Sequence, residues 1–174
     1  MKEELKSEER ANVKVIRQSK EDTEDRLKIA GVVHVQKFDA QTGQWLPTIV
    51  VPNLVTNTGR DQISSAIAQA SAGNANYVAV STSGTTHSAG STTLTSEITG
   101  GGLARAQATY SHTIGADTYS LAYTWTATTG FTNVQQGGTF DAATAGRMSF
   151  VSTFVSVSLN NADQLALTWY TRVT

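Results

Sequence analysis

The sequence contains no cysteine, so the chain can form no disulfide and offers no thiolate ligand to a metal ion. The absence of cysteine therefore fits an oxidising and a reducing compartment equally well. The sequence also lacks an apolar run long enough to cross a membrane, and its charged start has no apolar region of the signal-peptide kind. These absences predict a soluble protein that is made in a cytoplasm and has no membrane partner.

Charge is scarce as well, at 16% of the residues with a formal net charge of -1. Nucleic-acid binding normally requires a basic face, so no nucleic-acid partner is expected. Hydrophobic residues reach only 39%, and threonine, serine, alanine and glycine fill the difference. Small polar residues in such numbers favour pleated sheets over helical bundles.

The few charges are concentrated in residues 1–30, which hold eight of the 13 basic and eight of the 14 acidic residues. We therefore divide the chain near Gly31 into a charged N-terminal arm, residues 1–30, and a body, residues 31–174. Ser19 and Asp22 have the spacing of a helix cap, and oppositely charged pairs four residues apart follow them. This pattern predicts a short helix over about residues 20–30.

The arm has two interpretations. A charged segment of this kind is either a solvated tail or an arm that becomes ordered on assembly. We favour the second interpretation, and three apolar residues of the arm could form one short strand. The candidate assembly contacts in the arm are Arg10, Val13, Val15, Ile16 and Arg17.

The stretch that begins at Asn53 predicts a helix followed by a buried strand. Thr58 precedes Asp61 by three residues, which is the spacing of a capping box. Gly73 is expected to end the helix, and residues 77–80 have the composition of a buried strand. Apolar residues at helical spacing predict one narrow buried face, formed by Ile63, Ala66, Ile67 and Ala70.

The rest of the body shows the two-residue period of strands. A hairpin is predicted over residues 32–51, with its turn at residues 39–43 and an edge or irregularity at Pro47. Further strands are predicted over residues 103–111, 119–126, 147–159 and 165–169.

Two segments depart from this regular alternation. The phase of the apolar residues changes within residues 147–159, which predicts a β-bulge near Thr153 or a strand buried on both faces. Residues 130–140 contain several glycines and are predicted to be rich in loops. Many short strands and one short helix predict a mainly β fold: an antiparallel β-sandwich or jelly-roll-like body.

Residues that could carry catalysis or bind a metal are sparse and separated. The three histidines have no acidic partner at ligand spacing, so no metal site and no cofactor is predicted. Most acidic residues of the body fall at turns or at the helix start, where hydrogen bonding to the backbone explains an aspartate. We therefore expect no catalytic residue and no enzymatic activity.

A few side chains remain as candidate contacts. Glu97 and Arg105 flank a run of glycines, and they could contact a neighbouring subunit or pair with each other; we favour the intramolecular pair. Most aromatic residues have the alternation of core-facing positions. The candidates for exposed aromatics are Trp45 and Tyr119, together with Tyr170.

Several of these segments form a pattern that resembles a loose family of tailed-phage virion proteins. The pattern consists of N-x-V-x-x-x-G at Asn53–Gly59, the strand Tyr77–Val80, the segment Leu94–Glu97 and a final strand at residues 163–169. It covers about residues 50–174. Family members usually have Gly-Thr-Gly after the second of these segments, where this sequence has Ser81–Gly84. That departure weakens any inference about the loop.

The resemblance implies a non-catalytic structural protein of a phage virion that assembles with itself and with a major capsid or tail protein. A charged arm before a compact body favours a capsid decoration protein, and a trimer would suit threefold capsid sites. The alternative is a tail, baseplate or fibre component, including a glycan-binding adhesin that would use Trp45 or Tyr119. The expected location is the virion, after synthesis in a bacterial host.

Overall fold

The computed structural model describes residues 28–68 and 73–174. Its elements, in chain order, are β1 (Ile29–Asp39), β2 (Gln44–Trp45), β3 (Ile49–Pro52), β4 (Leu54–Val55), α1 (Asn57–Ala68), β5 (Tyr77–Ser81), β6 (Ala106–Gln107), β7 (Thr109–His112), β8 (Thr118–Thr126), β9 (Phe131–Phe140), β10 (Met148–Leu159) and β11 (Gln164–Val173).

The strands form two antiparallel sheets. The six-stranded sheet has the order β2-β1-β11-β8-β7, with β3 also paired to β1. The five-stranded sheet has the order β4-β10-β9-β5-β6. The mainly β, sandwich-like body with one short helix is therefore confirmed for the described residues.

The main core lies between the two sheets. Trp169, Leu167 and Val33 of the six-stranded sheet are buried together with Val134 and Phe150 of the five-stranded sheet. They come from alternate positions along their strands, which place successive side chains on opposite faces. Full burial of one such side chain contributes about 2 kcal/mol, so the inter-sheet core is the main source of stability.

Residues 130–140 are not the predicted loop-rich stretch. All but Gly130 form β9 (Phe131–Phe140), which lies between β10 and β5 in the five-stranded sheet. A Cβ atom on Gly137 would lie 2.8 Å from Leu167 Cδ2, so the glycine allows the facing sheet to come this close. Glycine in a strand marks the close approach of another element as readily as it marks a loop, which is why the prediction was wrong.

The single strand predicted over residues 103–111 is also wrong. Ala106–Gln107 pairs with β5 in one sheet, whereas Thr109–His112 pairs with β8 in the other. Between them Ala108 is buried, and its backbone N–H donates to the carbonyl oxygen of Asn76 at 2.7 Å. The chain therefore crosses between the sheets here, and alternation along the sequence does not reveal such a crossing.

The predicted hairpin over residues 32–51 is confirmed, with β1 paired first to β2 and then to β3. β1 starts at Ile29, where Ile29 and Ala30 pair with the end of β11. The helix predicted over residues 20–30 is therefore wrong at its last three residues, because Ile29 and Ala30 pair with β11 and Lys28 exchanges backbone hydrogen bonds with Thr174. Residues 20–27 lie outside the described residues.

The cap of α1 differs from the prediction. Thr56, not Thr58, caps the helix, because its Oγ1 accepts a hydrogen bond from the backbone N–H of Gly59 at 3.0 Å. The spacing of Thr58 and Asp61 also fits a helix cap, so the local sequence does not distinguish Thr56 from Thr58. The hydrogen bond from Thr56 Oγ1 to the carbonyl oxygen of Ser149 in β10 places Thr56 at the cap.

The buried face of α1 also differs from the prediction. Its buried residues are Gly59 and Gln62, whereas Ala66 is exposed and Ile67 is 75% exposed. The predicted apolar face is therefore wrong beyond Ile63, which is half-buried; Ala70 lies outside the described residues. The helix packs on β10 through Gly59, and the spacing of apolar residues cannot predict a contact made by a glycine.

The change of phase in β10 predicted a bulge or burial on both faces, and the strand shows both. Its register with β9 shifts between Thr153 and Val157, which confirms the irregularity predicted near Thr153. Residues 148–152, before the shift, are buried on both faces.

Candidate functional site

The outer face of the six-stranded sheet is not covered by any described residue. Strand register places residues on this face across β3, β1, β11, β8 and β7, and none of them is buried. Its positions are mostly small or uncharged: Val32, His34, Gln36, Phe38, Val50, Thr109, Ser111, Thr118, Ser120, Ala122, Thr124, Thr126, Gln164, Ala166, Thr168, Tyr170 and Arg172. We call this surface the open face.

One charged side chain lies on the open face among the described strands. Arg172 Nε donates to Asp117 Oδ2 at 2.6 Å, so this charge is paired within the chain. The hydrogen bonds from Arg172 and from Thr118 hold the pKa of Asp117 below its usual value. The open face therefore carries almost no net electrostatic field of its own.

Large apolar side chains are exposed on one side of the open face. Val50 is 55% exposed and Tyr170 is 38% exposed, and the ring of His34 packs 4.8 Å from that of Tyr170 between them in the sheet. Trp45 is 45% exposed and packs against Phe38 at 5.4 Å. Trp45 and Tyr170 are thus exposed aromatics, as predicted.

The outer face of the five-stranded sheet is covered. A second apolar cluster lies there, formed by Ala79, Leu94, Phe140, Met148 and Val151. Helix α1 packs on β10, and the segment that contains Leu94 supplies the rest of the cover.

Glu97 and Arg105 belong to this cover. Arg105 donates to both carboxylate oxygens of Glu97, at 2.9 Å and 2.7 Å, and to the carbonyl oxygen of Ala142 at 3.0 Å. Its guanidinium carbon lies 3.6 Å from the centre of the Phe140 ring. The two predicted contact residues therefore form the intramolecular pair, and most of their hydrogen-bonding capacity is used inside the chain.

The remaining predicted contacts lie outside the described residues. These are the residues of the arm, namely Arg10, Val13, Val15, Ile16 and Arg17.

Tyr119 is half-buried and therefore less exposed than predicted. It lies on the inner face of β8, and its ring packs 5.8 Å from that of Tyr110. Burial raises the pKa of the Tyr119 hydroxyl, so the group stays protonated at neutral pH. The two rings line a cleft that opens towards Asn74 and Asn76. Sequence reasoning missed Tyr110 as a surface residue because it placed Tyr110 in a strand that the structure divides between two sheets.

One buried carboxylate serves the fold. Asp163 is fully buried, accepts hydrogen bonds from the backbone N–H groups of Ala40 and Asn160, and pairs with Lys37 Nζ at 2.8 Å. Burial alone would raise its pKa, but the hydrogen bonds from Lys37 and the two amides outweigh burial and lower the pKa. Asp163 therefore fastens the β10–β11 turn to the end of β1.

A similar network lies under α1. Gln62 Nε2 donates to Asp141 Oδ2 at 2.9 Å, and the hydroxyl of Ser149 donates to Gln62 Oε1. Arg147 Nε donates to the same carboxylate at 2.8 Å. These partners explain why a glutamine occupies the buried face of the helix.

Two further findings concern only residues 28–68 and 73–174. No group of three or more histidine, cysteine or acidic residues could hold a metal ion there. No helix in that part of the chain is long and apolar enough to cross a membrane.

Comparisons of this chain with protein-family models, with curated proteins and with solved structures give no match. The geometry of the sandwich and its surfaces is therefore the basis for a functional proposal.

Proposed function

We propose that this chain is a non-enzymatic structural protein of a phage virion, and within that class a capsid decoration protein that self-associates. The observation that carries the proposal is the open face. A monomeric protein normally distributes charge over its surface, whereas the cores of protein interfaces are depleted of charged residues. A sheet face with one internally paired charge has the composition of an interface core.

The chemistry of the open face suits rigid packing against another protein. Threonine, serine, alanine and valine have few rotamers to lose, so their burial costs less conformational entropy than burial of lysine or glutamate. Val50, Trp45 and Tyr170 add the large apolar side chains that supply most interface free energy. This combination supports a broad contact with a second copy or with a capsid protein.

The residues that carry the resemblance to phage virion proteins have structural roles in this chain. A Cβ atom on Gly59 would overlap the carbonyl oxygen of Ser149, so the N-x-V-x-x-x-G pattern ends where the helix backbone meets β10. Tyr77–Val80 lies within β5, and Glu97 is held by Arg105. The pattern therefore supports a shared scaffold, and the contacts of this chain lie elsewhere, on the open face and in the arm.

The arm is the second contact in the proposal. It docks on the major capsid protein, while open faces associate around a symmetry axis, as in a trimer. A tail, baseplate or fibre component uses the same surfaces in the alternative assembly. The virion is the location in both cases.

The direct test is to localise the protein on purified phage particles by mass spectrometry and immunogold labelling. We expect the wild-type chain on the head surface. A variant with Thr124→Lys and Ala122→Lys places two charges on the open face and should reduce incorporation strongly. The matched control is Thr132→Lys, at an exposed position of the five-stranded sheet, which should incorporate normally.

Removal of the arm separates its role from that of the body. Deletion of residues 1–27 keeps the hydrogen bond from the N–H of Thr174 to the carbonyl oxygen of Lys28 at 2.9 Å, which closes the end of the six-stranded sheet. We expect a folded body that no longer incorporates. Absence of the wild-type chain from purified particles would contradict the virion proposal itself.

A further inference from the structure

A cleft of about 450 Å³ opens between the β7–β8 hairpin and the segment that leads into β5. Its volume lies within the range of small-molecule sites. The wall before β5 is fixed by two backbone hydrogen bonds, from Ala108 N–H to Asn76 O at 2.7 Å and from Asn76 N–H to Asn74 O at 2.9 Å. The lining residues are Asn74, Ala75, Asn76, Tyr110, Tyr119 and Leu121.

Two tyrosine rings form the floor of the cleft on the hairpin side. Tyr110 lies opposite Leu121 in the strand register, and Tyr119 lies opposite His112. Tyr110 is 59% exposed, and its ring is stacked against that of His112, with 6.4 Å between centroids. The Tyr110 ring therefore has neighbours on the same sheet that favour its position, which reduces the side-chain entropy that a ligand would remove.

The opposite side of the cleft carries amides. Asn74 and Asn76 each offer a carbonyl acceptor and an NH₂ donor. The described residues that line it include no lysine, arginine, aspartate or glutamate. In the described part of the chain the cleft therefore offers aromatic faces and neutral hydrogen-bonding groups, and no charged side chain there would hold an anion or a cation.

We propose that this cleft binds a neutral saccharide unit. The C–H face of a pyranose is apolar and can lie against a tyrosine ring. Its hydroxyl groups both donate and accept hydrogen bonds, so they can pair with the carbonyl and NH₂ groups of the two asparagine amides. A phosphorylated or sialylated ligand would leave its charge unpaired in the cleft. The inference is independent of the virion proposal, because it rests on the cleft alone.

The test uses the full-length protein with its tyrosine rings labelled with ¹³C. In one experiment the labelled protein is titrated with methyl β-D-glucopyranoside, methyl β-D-galactopyranoside and N,N′-diacetylchitobiose, and the tyrosine signals are followed by NMR. In a second experiment the protein is applied to an array of neutral glycans. We expect saturable shifts of the Tyr110 and Tyr119 signals with at least one saccharide, with a Kd on the order of 1 mM. The Tyr170 signal should stay in place, since Tyr170 lies on the other face of the same sheet.

Three variants separate ring stacking from other effects. Tyr110→Ala should weaken binding about tenfold, because it removes an aromatic face. Tyr110→Phe should retain binding, and Val155→Ala, at an exposed position of β10, should leave the affinity unchanged. Tyr110 is 59% exposed and Val155 is 72% exposed, so all three variants should keep the wild-type far-ultraviolet circular dichroism.

Three outcomes would overturn the proposal. The first is a blank glycan array together with three blank titrations. The second is an equal loss of binding in Val155→Ala. The third is a shift of the Tyr110 signal that depends on protein concentration without saccharide, which would assign the β7 edge to self-association.

Discussion

The two sheets of the sandwich differ in what lies on their outer faces. In the five-stranded sheet, most central residues of β9 and β10 are buried on both faces, because α1 and the segment around Leu94 cover the outer side. In the six-stranded sheet, no outer-facing position of the described strands is buried. One sheet has both faces covered within the chain, whereas no described residue covers the outer face of the other.

This difference shows in the strand sequences. β8 alternates apolar and small polar residues because one of its faces is open, whereas β10 carries a continuous run of buried residues over Met148–Ser152. Alternating strands are typical of sheets with one solvated face, and continuous runs are typical of strands covered on both sides. The two sheets therefore differ in whether other segments of the chain cover their outer faces, and not in the length of their strands.

The largest expected effect comes from the same charge placed on each outer face. Val151→Lys puts an ammonium group into the apolar cluster under the cover and should lower the free energy of unfolding by about 4 kcal/mol. Thr124→Lys lies on the open face and should change the free energy of unfolding by about 0.5 kcal/mol or less. Urea denaturation of both variants measures the contrast. Equal losses would show that the open face is also packed.

The second effect tests the ion pair that holds the cover. Arg105→Met leaves the Glu97 carboxylate partly buried without its partner and should cost about 3 kcal/mol. The matched control is Arg172→Met on the open face, where the guanidinium is 65% exposed and its removal should cost about 0.5 kcal/mol. Thermal denaturation compares them. The double variant Arg105→Met, Glu97→Gln should recover part of the loss, and no recovery would argue against an electrostatic cause.

The third effect tests the contact between α1 and the five-stranded sheet. Gly59→Ala adds a methyl group against the Ser149 carbonyl oxygen, so the helix must move away from β10, at a cost of about 2 kcal/mol. Gly100→Ala is the control, because no atom lies within 4 Å of its added Cβ. Hydrogen exchange should show faster exchange of the α1 amides in Gly59→Ala alone. Unchanged protection would mean that the helix does not depend on this contact.

The smallest effect concerns the turn that links the two sheets. The folded-state pKa of Asp163 lies below its ordinary value of 3.8, so its contribution is fully present above that pH and is lost as the pH falls through the lower, folded value. Asp163→Asn should lower stability by about 1.5 kcal/mol at pH 7. It should also flatten the fall in stability below pH 3.8. A wild-type acid profile in the variant would assign that fall to other groups, such as Asp141.

Much of the fold could be predicted from the sequence, because most strands have one dominant period. The hairpin of β1, the strands β8 and β11, and the irregularity in β10 follow from alternation and turn residues. The errors fall where two sheets or a helix and a sheet meet closely. Gly137 and Gly59 are small because a neighbour distant in sequence needs the space, and no local pattern encodes that neighbour.

The candidate sites were predicted less completely than the fold. Trp45 and the Glu97–Arg105 pair could be identified, since exposure and opposite charges near a glycine run have local signatures. The cleft beside Tyr119 could not, because the segment with Asn74 and Asn76 lies far from Tyr110 in the sequence. Only the crossing of the chain between the sheets at Ala108 brings those segments together.

The sequence by itself determined the class of fold, the alternation of the strands and the absence of cysteine chemistry. Each depends on residue type and on spacing within a few residues. The tertiary structure alone decided which sheet face is covered, which threonine caps the helix and which tyrosines meet in the cleft. Those outcomes depend on contacts between residues far apart in the chain, where packing outweighs local preference.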